Sequence, residues 1–139
     1  MSALRSTLAA LAAAAGLAHA ADAPLGWSCT PTARYECSAE KCGKVAPEEL
    51  RSARFDYEPR ARRLSACLWS ACYSGRGVVA GSADAGTVAV SGLLKRESPP
   101  QTETRQVSLH IDGKSGEFSA VWTQDAKVTA TDFGRCERR

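Results

Sequence analysis

Apolar and polar residues alternate most clearly in the segment 54–73. Phe55 and Tyr57 are flanked by charged residues, which is the period of two expected of a half-buried strand. Pro59 fixes its own φ and restricts the residue before it, so the chain is expected to turn there. Apolar residues then recur at every second position, as Leu64, Ala66 and Leu68. The segment predicts two antiparallel strands joined by a polar turn.

The alternation continues beyond residue 73, where glycines and prolines separate the apolar segments. Runs at 78–80 and 87–94 are followed by a loop at 97–102 that contains two adjacent prolines. Further strands are predicted before the C-terminus, with a turn at 113–116. The first has Val107, Leu109 and Ile111 on one face, and Phe118, Ala120 and Trp122 form the inward face of the second. Val128 and Ala130 lead into a last strand that ends at Cys136.

The segment from Trp27 to Pro47 is polar and lacks a clear period. We expect residues 37–43 to form a surface loop. Pro47–Leu50 is expected to form a helix of one or two turns, because proline and acidic residues favour a first turn. Roughly six to eight short strands with little helix predict an all-β fold. The expected architecture is a small antiparallel meander, closed into a barrel or packed as a sandwich, with at most one short helix.

Residues 1–20 have the features of a secretory signal peptide. Arg5 supplies the positive charge, Leu8–Ala18 is a short apolar run, and Ala18 and Ala20 are the small residues that a signal peptidase reads. The apolar run falls well short of the roughly 20 residues that span a bilayer. We therefore expect residues 21–139 to form a single domain, periplasmic or secreted, with no membrane span after removal of the signal peptide.

All six cysteines follow the predicted signal peptide, and an even number in an exported chain indicates three disulfides. The expected pairs are Cys29–Cys136, Cys37–Cys42 and Cys67–Cys72. One alternative crosses the two C-x4-C units over each other. Another is a zinc site made by their four thiolates.

Pairing of Cys67 with Cys72 requires the chain between them to reverse. On a straight strand their Cα atoms would lie roughly 16 Å apart, whereas a disulfide needs roughly 4.4–6.8 Å. Residues 68–71 are therefore expected to form a tight turn. Such a turn places Leu68 and Trp69 at a loop tip, where small polar residues are usual.

The charge of the chain argues against nucleic acid as a partner. Without Arg5 the chain has 17 basic and 15 acidic residues, a net charge of +2 that is well mixed along the sequence. Nucleic-acid-binding domains normally carry a clustered basic footprint. Two arginine groups could nevertheless meet an anionic surface, the first being Arg60, Arg62 and Arg63 and the second Arg135, Arg138 and Arg139. The alternative interpretation is a solvated turn and a solvated tail.

The best candidate for catalysis is His110, the only histidine after the predicted signal peptide. Ser108 and Asp112 are its neighbours at i±2, but such residues of a strand lie about 6.5–7 Å apart and cannot form a triad by themselves. Ser119 from a facing strand could complete one. The chain has no G-x-S-x-G elbow, P-loop, dinucleotide motif or C-x-x-C. We assign no catalytic residue, metal or cofactor, and keep a small hydrolase using His110 as an alternative.

Trp69, Tyr73 and Arg76 are candidate binding residues around the expected Cys67–Cys72 disulfide. Aromatic residues and arginine anchor interfaces, and a disulfide-held loop presents them with little ordering cost. The alternative is that Trp69 folds back to cap the core. The sequence thus predicts an exported, non-catalytic binding module for an envelope ligand or protein, present as a monomer or weak dimer.

Two resemblances extend this prediction. Trp27-x-Cys29, the central C-x4-C and Gly134-x-Cys136 resemble the cysteine pattern of small exported bacterial proteins with no assigned function. That resemblance implies a disulfide-framed β-domain and no activity. Tyr73-Ser74-Gly75-Arg76 is similar to the serine-glycine loop of periplasmic inhibitors of c-type lysozyme, which are small β-barrels. It implies, as a further alternative, a periplasmic inhibitor of a hydrolase such as lysozyme.

Overall fold

The structure is a computed structural model that describes residues 26–80, 86–100, 102–125 and 127–139; the predicted signal peptide lies outside these ranges. The described strands are β1 Trp27–Cys37, β2 Cys42–Lys44, β3 Arg54–Glu58, β4 Arg63–Leu68, β5 Ala71–Arg76, β6 Val78–Val79, β7 Thr87–Arg96, β8 Thr104–Asp112, β9 Glu117–Asp125 and β10 Val128–Arg138. A 3-10 turn at Pro47–Leu50 is the short helical segment expected from the sequence. Among the described residues, no helix is long and apolar enough to cross a membrane.

The strands form a closed antiparallel barrel. Around the barrel, β3, β4, β5, β7, β8, β9 and β10 follow one another, and β1 closes the ring by pairing with both β3 and β10. The pairing of β1 with β10 runs from Trp27↔Arg138 to Cys37↔Thr129. This closure selects the barrel over the sandwich. β2 adds to the end of β1, and β6 pairs with β7 where β5 has ended.

β1 is a strand that the sequence did not predict. Its pairing with β10 shifts register just after Pro31, which places Arg34 inside the barrel and Tyr35 outside. A bulge reverses the faces of all later residues in a strand, and an inward arginine breaks the apolar period. The hydrophobic pattern therefore fails to mark this segment. Opposite the bulge, Gly134 is required, because a Cβ there would overlap the carbonyl oxygen of Thr30.

The interior of the barrel is a continuous apolar core that confirms the inward faces predicted for β4, β8 and β9. Full burial of each large aliphatic or aromatic side chain stabilises the fold by about 1.5–3 kcal/mol. The largest fully buried apolar residues are Trp122, Phe55, Leu64, Leu68, Leu94, Leu109, Ile111, Val90 and Val107.

The three predicted disulfides are confirmed, and all six cysteines are paired. Cys29–Cys136 joins β1 to β10 within the core. Cys37–Cys42 closes the hairpin between β1 and β2, and Cys67–Cys72 crosses the hairpin between β4 and β5. The crossed pairing and the zinc site are thereby excluded.

The meander gives the barrel two ends, which we call upper and lower. The upper end carries the β4–β5 turn at residues 69–70 and the C-terminal ends of β7 and β9. The lower end carries the β3–β4 turn at residues 59–62, the β8–β9 turn at 113–116, and residues 26 and 139. The candidate binding residues are divided between these ends.

Candidate functional site

Trp69 closes the upper end of the barrel. It occupies the two-residue turn between β4 and β5 with a positive φ of 53°, and Ser52 Oγ donates a 2.9 Å hydrogen bond to its carbonyl oxygen. Its half-buried ring meets Trp122 edge-on, with the ring centroids 5.4 Å apart. Trp69 therefore caps the core, the alternative raised from the sequence, and the tight turn predicted from the cysteine spacing is confirmed.

A buried ion pair lies beneath Trp69. Arg34 Nε donates to Asp132 Oδ1 at 2.8 Å, and its Nη2 donates to Oδ2 at 3.3 Å. Trp122 Nε1 donates to the same Oδ2 at 2.7 Å. Both charged side chains are 0% exposed, and the Arg34 guanidinium lies over the rings of Trp122 and Trp69 at 4.9 and 5.6 Å. We call Arg34, Asp132, Trp122 and Trp69 the upper cluster.

The charged groups of the upper cluster are buried, and this limits the chemistry available to them. Burial raises the pKa of Asp132, and the hydrogen bonds and charge of Arg34 together with the Trp122 hydrogen bond offset only part of that rise. A carboxylate sealed behind Arg34 and two indole rings cannot reach a substrate in solvent. The upper cluster is therefore a structural element that fixes side chains where the barrel closes.

Tyr73 and Arg76 do not join Trp69 in one surface. Tyr73 is buried in the barrel, with the Arg105 guanidinium 5.5 Å from its ring centroid. Burial, followed by a hydrogen bond with Glu103, raises the pKa of Tyr73. Arg76 is exposed at the far end of β5, towards the lower end of the barrel. Of the three candidate binding residues, only Arg76 presents its polar group to solvent at the lower end.

His110 is exposed on the outer wall, paired across the sheet with Ala89 and Ser119. Ser108 shares a 2.8 Å hydrogen bond with Ser91. Asp112 accepts hydrogen bonds from the backbone N–H groups of residues 114 and 115, and these bonds lower its pKa. The structure therefore commits both neighbours of His110 to other contacts. Within the described ranges, no three histidine, cysteine or acidic residues are grouped to hold a metal ion.

Four arginines converge at the lower end of the barrel. Arg60 and Arg62 belong to the β3–β4 turn, where Arg62 has a positive φ of 49°. Arg63 begins β4 and lies directly opposite Arg76 of β5. Together with Ser74 and Gly75 they line a surface depression of about 480 Å³, which we call the arginine hollow.

The arginine hollow concentrates positive charge that nearby carboxylates offset only in part. Like charges directly opposite on neighbouring strands destabilise a sheet. Arg63 meets Glu97 at 3.3 Å, but within the described part of the chain no carboxylate lies within 4 Å of the other three guanidinium groups. The arrangement is suited to an anion, because guanidinium groups bind carboxylate and phosphate oxygens in pairs.

The arginines of the second group, at positions 135, 138 and 139, make hydrogen bonds to other parts of the barrel. Arg135 donates to the carbonyl oxygen of Ser115 at 3.0 Å and Arg138 to that of Gly113 at 2.6 Å. Arg139 donates to Ser28 Oγ at 2.7 Å. The sequence could not separate this group from the first, because both are short runs of arginine. Only the contacts show which one is available for a ligand.

Ser74 and Gly75, which carry the resemblance to lysozyme inhibitors, lie within β5. Glycine is required at position 75 because a Cβ there would lie 2.7 Å from the carbonyl oxygen of Leu93. Close packing of β5 against β7 therefore accounts for this glycine. Inhibition of lysozyme stays a prediction of the resemblance.

The fold and the arginine hollow define a small, disulfide-framed antiparallel β-barrel with a basic lower end. No protein-family profile, curated protein or solved structure matches the chain. The function is therefore argued from the geometry of the site.

Proposed function

We propose that the protein is a non-catalytic binding module of the cell envelope that holds an anionic ligand in the arginine hollow. The observation that carries this proposal is the direct opposition of Arg63 and Arg76 beside Arg60 and Arg62. An anion that bridges these groups replaces repulsion by charge-assisted hydrogen bonds. Ser74 adds a hydroxyl group at the wall of the same depression.

The scaffold holds the arginine hollow in place before the ligand arrives. Arg63 and Arg76 project from adjacent strands of a closed barrel, and the Cys67–Cys72 disulfide crosses the same hairpin. A site on rigid strands loses little conformational entropy on binding. The interior of this small barrel is filled by side chains, so a ligand is expected to bind at its surface, where the hollow lies.

Location in the envelope is supported by two features. Residues 1–20 read as a signal peptide, and three disulfides persist in oxidising compartments such as the periplasm or the extracellular space. Anionic groups, including the carboxylates of peptidoglycan stems and acidic segments of proteins, are available there. We therefore assign the ligand to this compartment.

The proposal is tested by isothermal titration calorimetry of the purified, oxidised protein with soluble peptidoglycan fragments and with an acidic peptide. Arg76→Glu is expected to weaken binding of the cognate probe by at least about tenfold, equivalent to about 1.4 kcal/mol. Higher salt is expected to weaken it further, because exposed charges are screened.

The matched control is Arg51→Glu, which makes the same change in net charge at an exposed residue outside the hollow. This variant is expected to retain the affinity within about twofold. Equal losses in both variants would show that only overall charge matters. Binding of neither probe to the wild type would refute the proposal.

A further inference from the structure

We propose that the anionic ligand is an extended acidic peptide segment, which adds as a strand to the free edge of β6. This inference rests on the proposed function and names the class of its partner. It concerns a second depression of about 540 Å³, which shares Arg62 and Arg76 with the arginine hollow and is also lined by Tyr57, Pro59, Gly77, Val78 and Val79.

β6 extends beyond the end of β4, and this leaves one edge of β6 without a neighbouring strand. β4 begins at Arg63 opposite Arg76, and the backbone N–H of Gly77 donates to the carbonyl oxygen of Arg62 at 2.8 Å. The chain of β4 turns away at that point, whereas β6 continues beside β7. Within the described residues, no strand pairs with the side of β6 that faces away from β7.

The backbone groups of Val79 face this free edge. The N–H of Ala80 donates to the carbonyl oxygen of Ala89 on β7 at 2.8 Å. In an antiparallel ladder, successive residues direct their backbone groups to opposite sides. Val79 therefore directs its N–H and C=O away from β7, on the same side as the N–H of Gly77. An incoming strand finds both a donor and an acceptor there.

The side chains at this edge are apolar and exposed. Val78 is 70% exposed and Val79 43% exposed. Natural proteins usually protect an edge of this kind, because it recruits other strands. A bound strand would cover apolar surface of both valines while its backbone pairs with Val79, which is how peptides join sheet edges in strand-addition complexes.

Charge complementarity identifies the side chains of the partner. Arg62 and Arg76 flank the edge, and Arg60 lies in the adjoining arginine hollow. Residues at i and i+2 of a strand point to the same side. A segment with acidic residues at alternate positions therefore directs its carboxylates to these guanidinium groups on the face of Arg76 and Val78, and its apolar residues on the opposite face are available to contact Val79.

The probe is an acetylated and amidated hexapeptide of alternating glutamate and valine, titrated calorimetrically into the purified protein. Its control is the same sequence methylated at the backbone nitrogen of every residue, which keeps the charges but removes the N–H donors of all six residues. We expect the methylated peptide to bind at least about tenfold more weakly. Equal affinity of the two peptides would overturn strand addition.

The matching change in the protein is Val79→Pro, which removes the outward N–H without removing a hydrogen bond to β7. Val79→Thr keeps that N–H and serves as the control, and circular dichroism confirms that both variants fold. We expect Val79→Pro to lose at least about tenfold in affinity for the unmethylated peptide and Val79→Thr to bind within about twofold of wild type. Equal affinities of the two variants would also contradict the proposal.

The outcomes separate this inference from the proposed function. If Arg76→Glu weakens binding while peptide methylation does not, the arginine hollow binds anions but β6 does not accept a strand. If peptidoglycan fragments bind and the hexapeptide does not, strand addition to β6 is refuted and the proposed binding of an anion in the arginine hollow stands. If neither probe binds, both proposals fail.

Discussion

At the scale of single residues, Arg34 and Asp132 are the clearest departure from an apolar core. Two fully buried charges lose their hydration, and their attraction repays that loss only when the geometry is good. Here burial still raises the pKa of Asp132 despite contacts from Arg34 and Trp122. We infer that the pair fixes the arrangement of the upper cluster more than it adds to net stability.

Replacement of either partner alone is expected to be costly. Asp132→Leu leaves the Arg34 charge buried and unpaired, and should lower the free energy of unfolding by about 3–5 kcal/mol. Arg34→Met should have a cost of similar size. The double variant should recover most of this loss, leaving about 1–3 kcal/mol because Trp122 Nε1 loses its acceptor. Urea denaturation measures all three; additive losses would contradict this account.

At the scale of elements, the β4–β5 hairpin could be predicted and β1 could not. Pairing of Cys67 with Cys72 required a chain reversal, and alternation marked β4, the strand that leads into it; β5 was not predicted and follows from the reversal. In β1, the bulge after Pro31 and the inward Arg34 erased that alternation. Only the partner strand β10 determines which residues of β1 face the core, and pairing of distant strands is not visible in a local pattern.

The same limit applies to the candidate site. The sequence groups Arg76 with Trp69 and Tyr73, but Tyr73 points into the barrel and Trp69 lies in the turn at the upper end. The true neighbours of Arg76 come from the β3–β4 turn and the first residue of β4. The register of the β4–β5 hairpin places Arg63 opposite Arg76, and the two-residue turn at residues 69–70 sets that register.

The β4–β5 turn itself provides a prediction at the element scale. Trp69 adopts a positive φ of 53°, a region that costs roughly 1–2 kcal/mol for residues other than glycine. Both Trp69→Gly and Trp69→Ala lose the contact with Trp122, but glycine relieves the backbone strain. We expect Trp69→Gly to be more stable than Trp69→Ala by about 1 kcal/mol in thermal or urea unfolding.

Ser70 is the matched control for this comparison, because it lies in the same turn without a positive φ. Glycine is normally no more stable than alanine where φ is negative. Ser70→Gly should therefore be no more stable than Ser70→Ala. A Trp69→Gly variant less stable than Trp69→Ala would show that the turn stores no such strain.

At the scale of the whole molecule, the first and last strands carry the closure of the barrel. β1 and β10 are held together by long antiparallel pairing and by the Cys29–Cys136 disulfide. The lower end, with the arginine hollow and the edge of β6, depends on this closure only indirectly, through β3 and the β3–β4 turn. Loss of the contacts between β1 and β10 should therefore lower the free energy of unfolding of the whole barrel and leave the geometry of the arginine hollow largely unchanged.

A disulfide that closes a longer loop should stabilise the fold more, although the gain grows only with the logarithm of loop length. Cys29 and Cys136 are 107 residues apart in sequence, whereas Cys37 and Cys42 are five apart. From the entropy of loop closure in the unfolded chain, the first bond is worth about 5 kcal/mol and the second about 2 kcal/mol. Guanidinium unfolding of Cys29→Ala/Cys136→Ala and of Cys37→Ala/Cys42→Ala measures the two losses. A larger loss for the short-range pair would show that local contacts at the β1–β2 hairpin outweigh closure of the barrel.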